Sequence, residues 1–383
     1  MRRKEFTHVK HPKDKQYKYL WSKMQQTDVI IQAWKNLRKG KTKRVEVKAI
    51  DKNLDAEVER MRQMIKETTP EHPERGYQPP KIRPMKIVHE HSKRRIAHLA
   101  DIHEQWYFHI IVEVMKPIVV RRLSQNICGC VPGRGAHSGK KIIERWIKDG
   151  IRYIYKADVR KFYDNTQISV VIKALRRDIA DERFLYCIEK IYTGQKKGIL
   201  IGLYISPWIA NYVLATMDEA VEDTGAKLIR YVDDIVVAAK SKKLLHKVHA
   251  LIVKALSHVR LKLKRNYQIF KFYYCGKGRP LDFMGFLFYR NKTIIRKSIL
   301  LRATRTARRM RRAKEHGRRF YAKMVRGMVS RMGWFTYTDS YGCYLEHIKP
   351  FINIGTLKRI VSKLDKEDNH DRLDEGNLLA EAC

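Results

Sequence analysis

Two adjacent acids, Asp233 and Asp234, stand between two runs of strand-forming residues, Leu228-Ile229-Arg230 on one side of Tyr231-Val232 and Ile235-Val236-Val237 on the other. Branched and aromatic residues around a short polar pair predict a β-hairpin with both carboxylates at its tip. Adjacent anions repel, and burying them costs free energy unless a cation neutralises them. Magnesium suits the task, because it prefers carboxylate oxygens together with substrate phosphates. As an isolated dipeptide, Asp-Asp reads equally well as a solvated turn, so its meaning depends on its company. A third acid, Asp158, ends the strand-like run Ile151-Arg152-Tyr153-Ile154-Tyr155-Lys156-Ala157-Asp158. If the two strands lie side by side, the three carboxylates converge and can hold two Mg²⁺ ions, with Mn²⁺ as a substitute. That is the arrangement for nucleotidyl transfer.

Bulk charge points the same way. The 383 residues hold 81 Lys and Arg against 40 Asp and Glu, a formal net charge of +41. A surface this basic repels itself unless a polyanion binds, so nucleic acid is the expected partner and an anionic membrane a weaker one. No stretch is apolar and long enough to span a bilayer, and Met1-Arg2-Arg3-Lys4-Glu5 lacks the apolar core of a signal peptide, so a cytoplasmic protein is expected. The cysteines at 128, 130, 187, 275, 343 and 383 include one close pair without a second pair at zinc spacing, and read as reduced structural thiols.

The elements that must position the acids follow from periodicity. Residues 1–75 form a basic extension with a helix expected from Asp51 to Lys66, preceded by the basic run Arg38-Lys39-Gly40-Lys41-Thr42-Lys43-Arg44, a charged loop or a phosphate contact. An amphipathic helix is expected through Ile102, Trp106, Ile110 and Val114. The loop from Cys130 to Lys140 looks superficially phosphate-binding, but no glycine stands at the right spacing before Gly139-Lys140 and no Ser or Thr follows. Helices are expected to begin near Asn165-Thr166, to run through Ile188 and Ile191, and to carry Ile209, Val213, Met217 and Val221 on one face. Strand, helices, loop, helix and hairpin in that order predict an α+β fold, an antiparallel sheet with helices on one face. After Ser298 the chain turns helical and rich in arginine with few acids to pair it, which suits a nucleic-acid face. Core packing is expected for Trp334, Phe335, Tyr337 and Tyr341, and disorder for the acidic tail 363–383.

Together these residues resemble a bacterial reverse transcriptase from about residue 38 to residue 340. Tyr231-Val232-Asp233-Asp234 matches that family's YxDD box, and the segment from Lys156 to Asn165 matches its first catalytic motif. The resemblance implies a right-hand polymerase: fingers over 76–150, palm over 151–290 and a basic helical thumb over 291–362. It implies that Asp158, Asp233 and Asp234 are catalytic and that they hold metal with Val159. Tyr163 takes the steric-gate position that favours deoxynucleotides. Lys93 and Arg95 resemble the fingers residues that grip the triphosphate, Ile201 and Gly202 line the nucleotide, and Phe283-Met284-Gly285 matches the primer grip. Arg134 lies in a loop resembling the RPGRSAH type, and Arg305, Arg308, Arg309 and Arg312 fall in the thumb. These, with Arg38, Lys39 and Lys41, are the expected nucleic-acid contacts.

Departures from the pattern narrow the type. Ile201 replaces the Gln of intron enzymes, which is similar to diversity-generating retroelements, yet Pro207 stands where that group has Gln. Tyr267 occupies the place of a catalytic lysine, leaving Lys262 or Lys264 as the general acid. The resemblance therefore implies a polymerase copying a dedicated, structured non-coding RNA from a DNA or RNA primer with dNTPs, in a diversity-generating retroelement or an antiphage defence system. An accessory protein or self-association would fit that setting. The alternatives are an RNA-dependent RNA polymerase, which Tyr163 opposes, and a non-catalytic RNA-binding scaffold, which would have no need of three acids.

Overall fold

The computed structural model describes residues 16–364 apart from 82, 91–92, 195–197, 274–275 and 319. Cys275, Cys383, Arg319 and all but the first two residues of the 363–383 tail lie outside the described residues. The chain divides into two compact units, each assembled from separated segments. The first takes in the chain up to Leu37, Leu54–Val119 and Tyr163–Ile209; the second takes in Arg38–Asn53, Val120–Phe162 and everything from Ala210 onward. The divisions expected at 75, 150 and 290 all fall inside these segments.

The first unit is mainly helical. Leu54–Glu67 is a separate helix from Val45–Lys52, so the single helix expected from Asp51 is broken at Asn53, whose backbone leaves the helical region at φ −124° and ψ 38°. Asparagine favours such a break because its amide competes for backbone hydrogen bonds. The helix Ile102–Arg122 is buried on all sides, with consecutive residues from Trp106 to Val112 in the core, where sequence periodicity predicts a single apolar face. Trp106 explains part of this: its ring lies 4.8 Å from Trp34, and its indole N–H donates to the Ile30 carbonyl at 2.9 Å. Two antiparallel strands, β1 (Met85–Glu90) and β2 (Lys93–His98), complete this unit's regular structure before the helices Ile168–Leu175 and Glu182–Lys190. Asp181 caps the latter by accepting from the Phe184 N–H at 3.0 Å.

The second unit holds the sheet that matters for chemistry. Its strands are β3 (Ile127–Cys128), β4 (Tyr153–Asp158), β5 (Lys227–Tyr231), β6 (Asp234–Ala239) and β7 (Gln268–Lys271), in the order β3-β5-β6-β4-β7. All pairs are antiparallel except β3 with β5, so the sheet is mixed where a wholly antiparallel one was expected. Both faces are covered. Cross-strand partners share a face, and Ile154, Ile229, Val236 and Ala238 pack with Trp146 of the helix Ala136–Lys148 and with Phe283, Phe286 and Phe288. The three phenylalanines come from a second, three-stranded sheet of β8 (Leu281–Phe283), β9 (Phe286–Phe288) and β10 (Thr293–Ile295). On the opposite face Tyr155 reaches His249 of the helix Lys242–His258, its hydroxyl 3.2 Å from Nδ1. Helices thus flank one side alone, as expected, only if Ala136–Lys148 is set aside.

The basic region after Ser298 is helical as the sequence predicts. Helices Lys297–Glu315 and Ala322–Thr336 bury Ala303, Ala307, Met310, Val325, Met328 and Phe335 against each other. Trp334 and Phe335 are core residues, whereas Tyr337 and Tyr341 are 59% and 48% exposed, contrary to expectation. Tyr337 caps the end of one helix and Tyr341 opens the next, Tyr341–His347, while the core between them continues through Ile348, Ile352 and Leu357. Among the described cysteines Cys128 and Cys187 are buried and unpaired, and burial pushes the Cys128 thiol up to about 11, consistent with inert structural thiols. Among the described residues no helix is long and apolar enough to cross a membrane.

Candidate active site

The register of β4 against β6 sets Asp158 directly opposite Asp234. Tyr231 pairs with Asp234, so Val232 and Asp233 alone form the hairpin turn, and Val232 takes the strained left-handed conformation at φ 57°. The Val159 N–H donates to the Asp233 carbonyl at 3.3 Å and ties the turn to the end of β4. All three acids thus stand at one end of one sheet. On the other side of β4 the chain from Lys262 to Lys264 runs antiparallel: the Arg160 N–H bonds the Lys262 carbonyl at 2.8 Å and the Lys264 N–H bonds the Asp158 carbonyl at 2.9 Å. The Lys264 ammonium reaches Asp158 Oδ1 at 2.5 Å. Anion, anion and cation therefore follow one another across three neighbouring chain segments.

Burial, reinforced by the charges of Asp158 and Asp234, pushes the Asp233 carboxyl up to about 6. Burial also raises Asp234, against the opposing pull of Lys156. Lys156 is held two residues before Asp158 by donating to the Asp282 carbonyl at 2.5 Å, while the Asp282 carboxylate pairs with Arg296 at 2.6 Å. Carboxyls raised in this way want a cation. Among the described residues no three His, Cys, Asp or Glu side chains close into a ready-made cage. The donor set still fits Mg²⁺, which takes one or two carboxylates and fills its remaining positions with water and substrate phosphate. Asp158 Oδ1 is buried, with the Lys264 ammonium against it.

The group that fixes the turn was not apparent from sequence. Arg230, on the face of β5 away from the acids, is wholly buried. Its guanidinium donates to Asp218 Oδ2 at 2.6 Å, to Asn211 Oδ1 at 2.9 Å and to the Val232 carbonyl at 2.7 Å. Asp218 and Asn211 belong to the helix Ser206–Glu222, so one side chain joins helix, strand and turn. The available signal was an arginine directly after two apolar residues within a strand, matched by Asp218 at the end of the apolar stretch of a helix.

Most residues expected around the nucleotide lie in the first unit, where the structure brings several together. Gly198 adopts φ 89°, and a Cβ there would stand 2.9 Å from the Tyr163 carbonyl, which also accepts from the Ile199 N–H at 2.9 Å. Gly202 adopts φ 105° with no room for a Cβ against the His98 carbonyl, while the His98 N–H bonds the Ile201 carbonyl at 2.7 Å. The loop carrying Ile201 and Gly202 is therefore clipped to Tyr163 at one end and to the end of β2 at the other. Lys93 and Arg95 lie on that same strand.

In the second unit, Met284 and Gly285 both have positive φ, 51° and 87°, making the tight turn between β8 and β9. A Cβ on Gly285 would meet the Trp334 ring at 2.6 Å, so the turn packs directly on the helix Ala322–Thr336. Gly139 leaves room for the Met284 side chain in the same way, so the last glycine of the Cys130–Lys140 stretch, which lies in the helix Ala136–Lys148, has a packing role. Arg134 serves that loop too, donating to the Ser124 carbonyl at 2.9 Å and to Gln125 at 3.0 Å. Arg38 pairs with Asp51 at 2.7 Å, and Lys39 is exposed. Burial, and then Arg44, hold the Lys41 ammonium below its ordinary range. Arg305, Arg308, Arg309 and Arg312 are exposed on the side of their helix away from Ala303, Ala307 and Met310.

The sequence model of the family described as reverse transcriptase (RNA-dependent DNA polymerase) matches residues 91–288, just over half of the chain and inclusive of all three acids. Similar solved structures include apo telomerase from Candida tropicalis truncated from its C-terminal domain, at 12% identity over 56% of this chain and 53% of that one, with a TM-score of 0.40. Telomerase from Candida albicans in complex with the TWJ fragment of telomeric RNA aligns at 10% identity over 69% and 56%, with a TM-score of 0.42. Apo telomerase from Candida tropicalis aligns at 12% over 54% and 46%, with a TM-score of 0.41. The chain spans about half the length of these proteins. No curated protein matches it in sequence.

Two outcomes follow from the geometry. Arg230→Met should cost roughly 3–5 kcal/mol in chemical denaturation by stranding Asp218, and adding Asp218→Leu should restore most of that stability. The double variant should still lose divalent-metal affinity, because nothing then holds the Val232 carbonyl; metal affinity at the wild-type level would show the clamp to be dispensable. Asp233 binds its proton more tightly folded than unfolded, so its charging opposes folding as pH rises from about 4 through 6. In metal-free buffer Asp233→Asn should therefore match wild-type Tm at pH 4 and exceed it by a few degrees above pH 7. A constant difference across that range would contradict the raised carboxyl.

Proposed function

This chain belongs to the reverse transcriptase family, and we propose that it is an RNA-directed DNA polymerase that copies a dedicated structured RNA into cDNA. The observation that carries the reading is the register of Asp158 opposite Asp234, with Asp233 in the adjoining turn. Asp158, Val159, Asp233 and Asp234 would hold two Mg²⁺ ions. The ions, when bound, offset charge on the attacking and leaving oxygens of the transfer.

The remaining roles belong to the protein. The primer 3′ oxygen attacks the α-phosphorus of a dNTP; that P–O bond forms, the bond to the bridging oxygen breaks, pyrophosphate leaves with the electron pair, and the hydroxyl proton passes to water. Lys93 and Arg95 grip the triphosphate, Tyr163 takes the space of a ribose 2′ hydroxyl, and Ile201 with Gly202 lines the nucleotide. Phe283, Met284 and Gly285 hold the primer end. Arg305, Arg308, Arg309 and Arg312, with Arg38, Lys39, Lys41 and Arg134, contact phosphates of template and primer, as an excess of exposed arginine favours. The biological setting is a bacterial diversity-generating retroelement or antiphage defence system, in which an accessory protein or self-association completes the complex.

Primer extension on an RNA template with dNTPs or rNTPs tests the chemistry. Wild type should use dNTPs, Asp233→Asn should lose incorporation by at least 10³-fold while keeping RNA affinity, and Tyr163→Ala should admit rNTPs. Synthesis that persists in Asp233→Asn would exclude the assignment. The setting is separable by sequencing cDNA from cells that carry the gene with its flanking DNA. Errors at template adenines mark diversification, and low-complexity products made during infection mark defence; accurate copies of ordinary messages would fit neither.

A further inference from the structure

The loop that carries Ile201 and Gly202 is closed by one residue. Ser206, the first residue of the helix Ser206–Glu222, donates its N–H to the Leu203 carbonyl at 3.2 Å and its hydroxyl to the Leu200 carbonyl at 2.6 Å. The Tyr192 hydroxyl lies 2.9 Å from Ser206 Oγ. A carbonyl only accepts and a serine hydroxyl has one proton to give, so the Ser206 proton is committed to Leu200 and Tyr192 is the donor to Ser206. The three groups form a relay that runs one way, from Tyr192 through Ser206 to Leu200. All of it is removed from water: Tyr192 is 1% exposed, Ser206 0% and Leu200 7%.

Burial makes the relay consequential. A buried donor or acceptor that loses its partner costs more than the bond was worth, and a peptide escapes that cost by turning until it finds another partner. The rest of the loop is anchored by main chain. The Ile199 N–H is bound to the Tyr163 carbonyl and the Ile201 carbonyl to the His98 N–H, while Gly198 and Gly202 lie against backbone that leaves no room for a Cβ. Between these anchors the Leu200 carbonyl is held by a side chain, which Tyr192 supports from the turn that ends the helix Glu182–Lys190. Without that hold the peptide joining Leu200 to Ile201 turns, and the Ile201 side chain turns with it. Resting on the polymerase reading above, we propose that Tyr192 and Ser206 are positioning residues for nucleotide selection: they act through this peptide, so that Ile201 and Gly202 present one fixed surface to a correctly paired dNTP.

The test is equilibrium binding of dNTPs to the full-length protein on an RNA template whose primer ends in a 3′-deoxynucleotide, alongside steady-state extension of an ordinary primer. Ser206→Ala should weaken the matched dNTP at least tenfold, about 1.4 kcal/mol, and raise KM alike with kcat within about threefold, the pattern of a lost binding interaction. Mismatched dNTPs gain little from the fixed surface and should bind nearly as before, so selectivity falls with affinity. Tyr192→Phe keeps Ser206 bonded to Leu200 and should show about a threefold effect, and the two changes together should be no worse than Ser206→Ala, because the groups act in series. Val171→Ala, a core truncation in the helix Ile168–Leu175, should lower Tm and leave matched affinity within about twofold. Unchanged matched affinity in Ser206→Ala would overturn the proposal, as would an equal loss in Val171→Ala, which would reduce the effect to stability. A loss of matched and mismatched dNTPs by one factor would also overturn it, since selection would then lie elsewhere. Binding on a terminated primer needs no turnover, so a protein that binds matched dNTP through Ser206 yet extends no primer would remove the polymerase reading and leave the relay standing, whereas one that binds no dNTP would end both.

Discussion

The ion pair between Arg230 and Asp218 is the constraint on which the site's geometry depends. Both side chains are almost wholly removed from water, and burying two charges returns little net stability, since an apolar pair of similar size often does as well or better. What an apolar pair could not do is hold the Val232 carbonyl. Through that one hydrogen bond the arginine imposes a left-handed residue on a branched side chain, and through Asp218 and Asn211 it fixes the turn to a helix. The helix is itself anchored beside β3: Arg122 pairs with Glu219 at 3.1 Å, and the Asn211 amide donates to the Gly129 carbonyl at 3.3 Å. Position is thus passed from helix to turn to carboxylate through short, satisfied polar contacts, the kind that specify one arrangement.

That rigidity serves an unfavourable charge distribution. Three carboxyls gather at one end of a sheet, and the protein keeps them there by supplying partial neutralisation on both sides, Lys156 beneath and Lys264 across. Each lysine is also fixed or registered by main-chain atoms, so neither is a loose surface charge. Burial raises the Asp233 and Asp234 carboxyls, a state a solvated turn would not maintain.

The elements that carry the acids were legible because their signals are local in sequence. The hairpin around Asp233, the strand ending at Asp158 and the basic helix after Ser298 each carry their signal within ten or fifteen residues. What was not legible depends on partners remote in the chain. Arg230 looks like an exposed strand residue until Asp218 is known to face it, and the Ile102–Arg122 helix looks amphipathic until Trp34 covers its second side. The parallel pairing of β3 with β5 escaped for a plainer reason: a two-residue strand has no periodicity to detect. Exposure of Tyr337 and Tyr341 depends on where one helix ends and the next begins, which composition alone does not mark.

The central place of β4 in its sheet bears on how the molecule comes into being. Both of its neighbours, β6 and β7, lie later in the chain, and the partner of Asp158 arrives only at residue 234. During synthesis an apolar strand therefore emerges with two unsatisfied edges and must wait for them, a non-local pairing that slows folding and invites association with other chains. The chain also passes between its two compact units at 37, 53, 119, 162 and 209, so the unit bearing the acids cannot close until the other's segments have all emerged. The juxtaposition of Asp158 with Asp234 therefore forms only after every segment of the first unit has been made, and a chain stalled before residue 234 would expose β4 with neither neighbour in place.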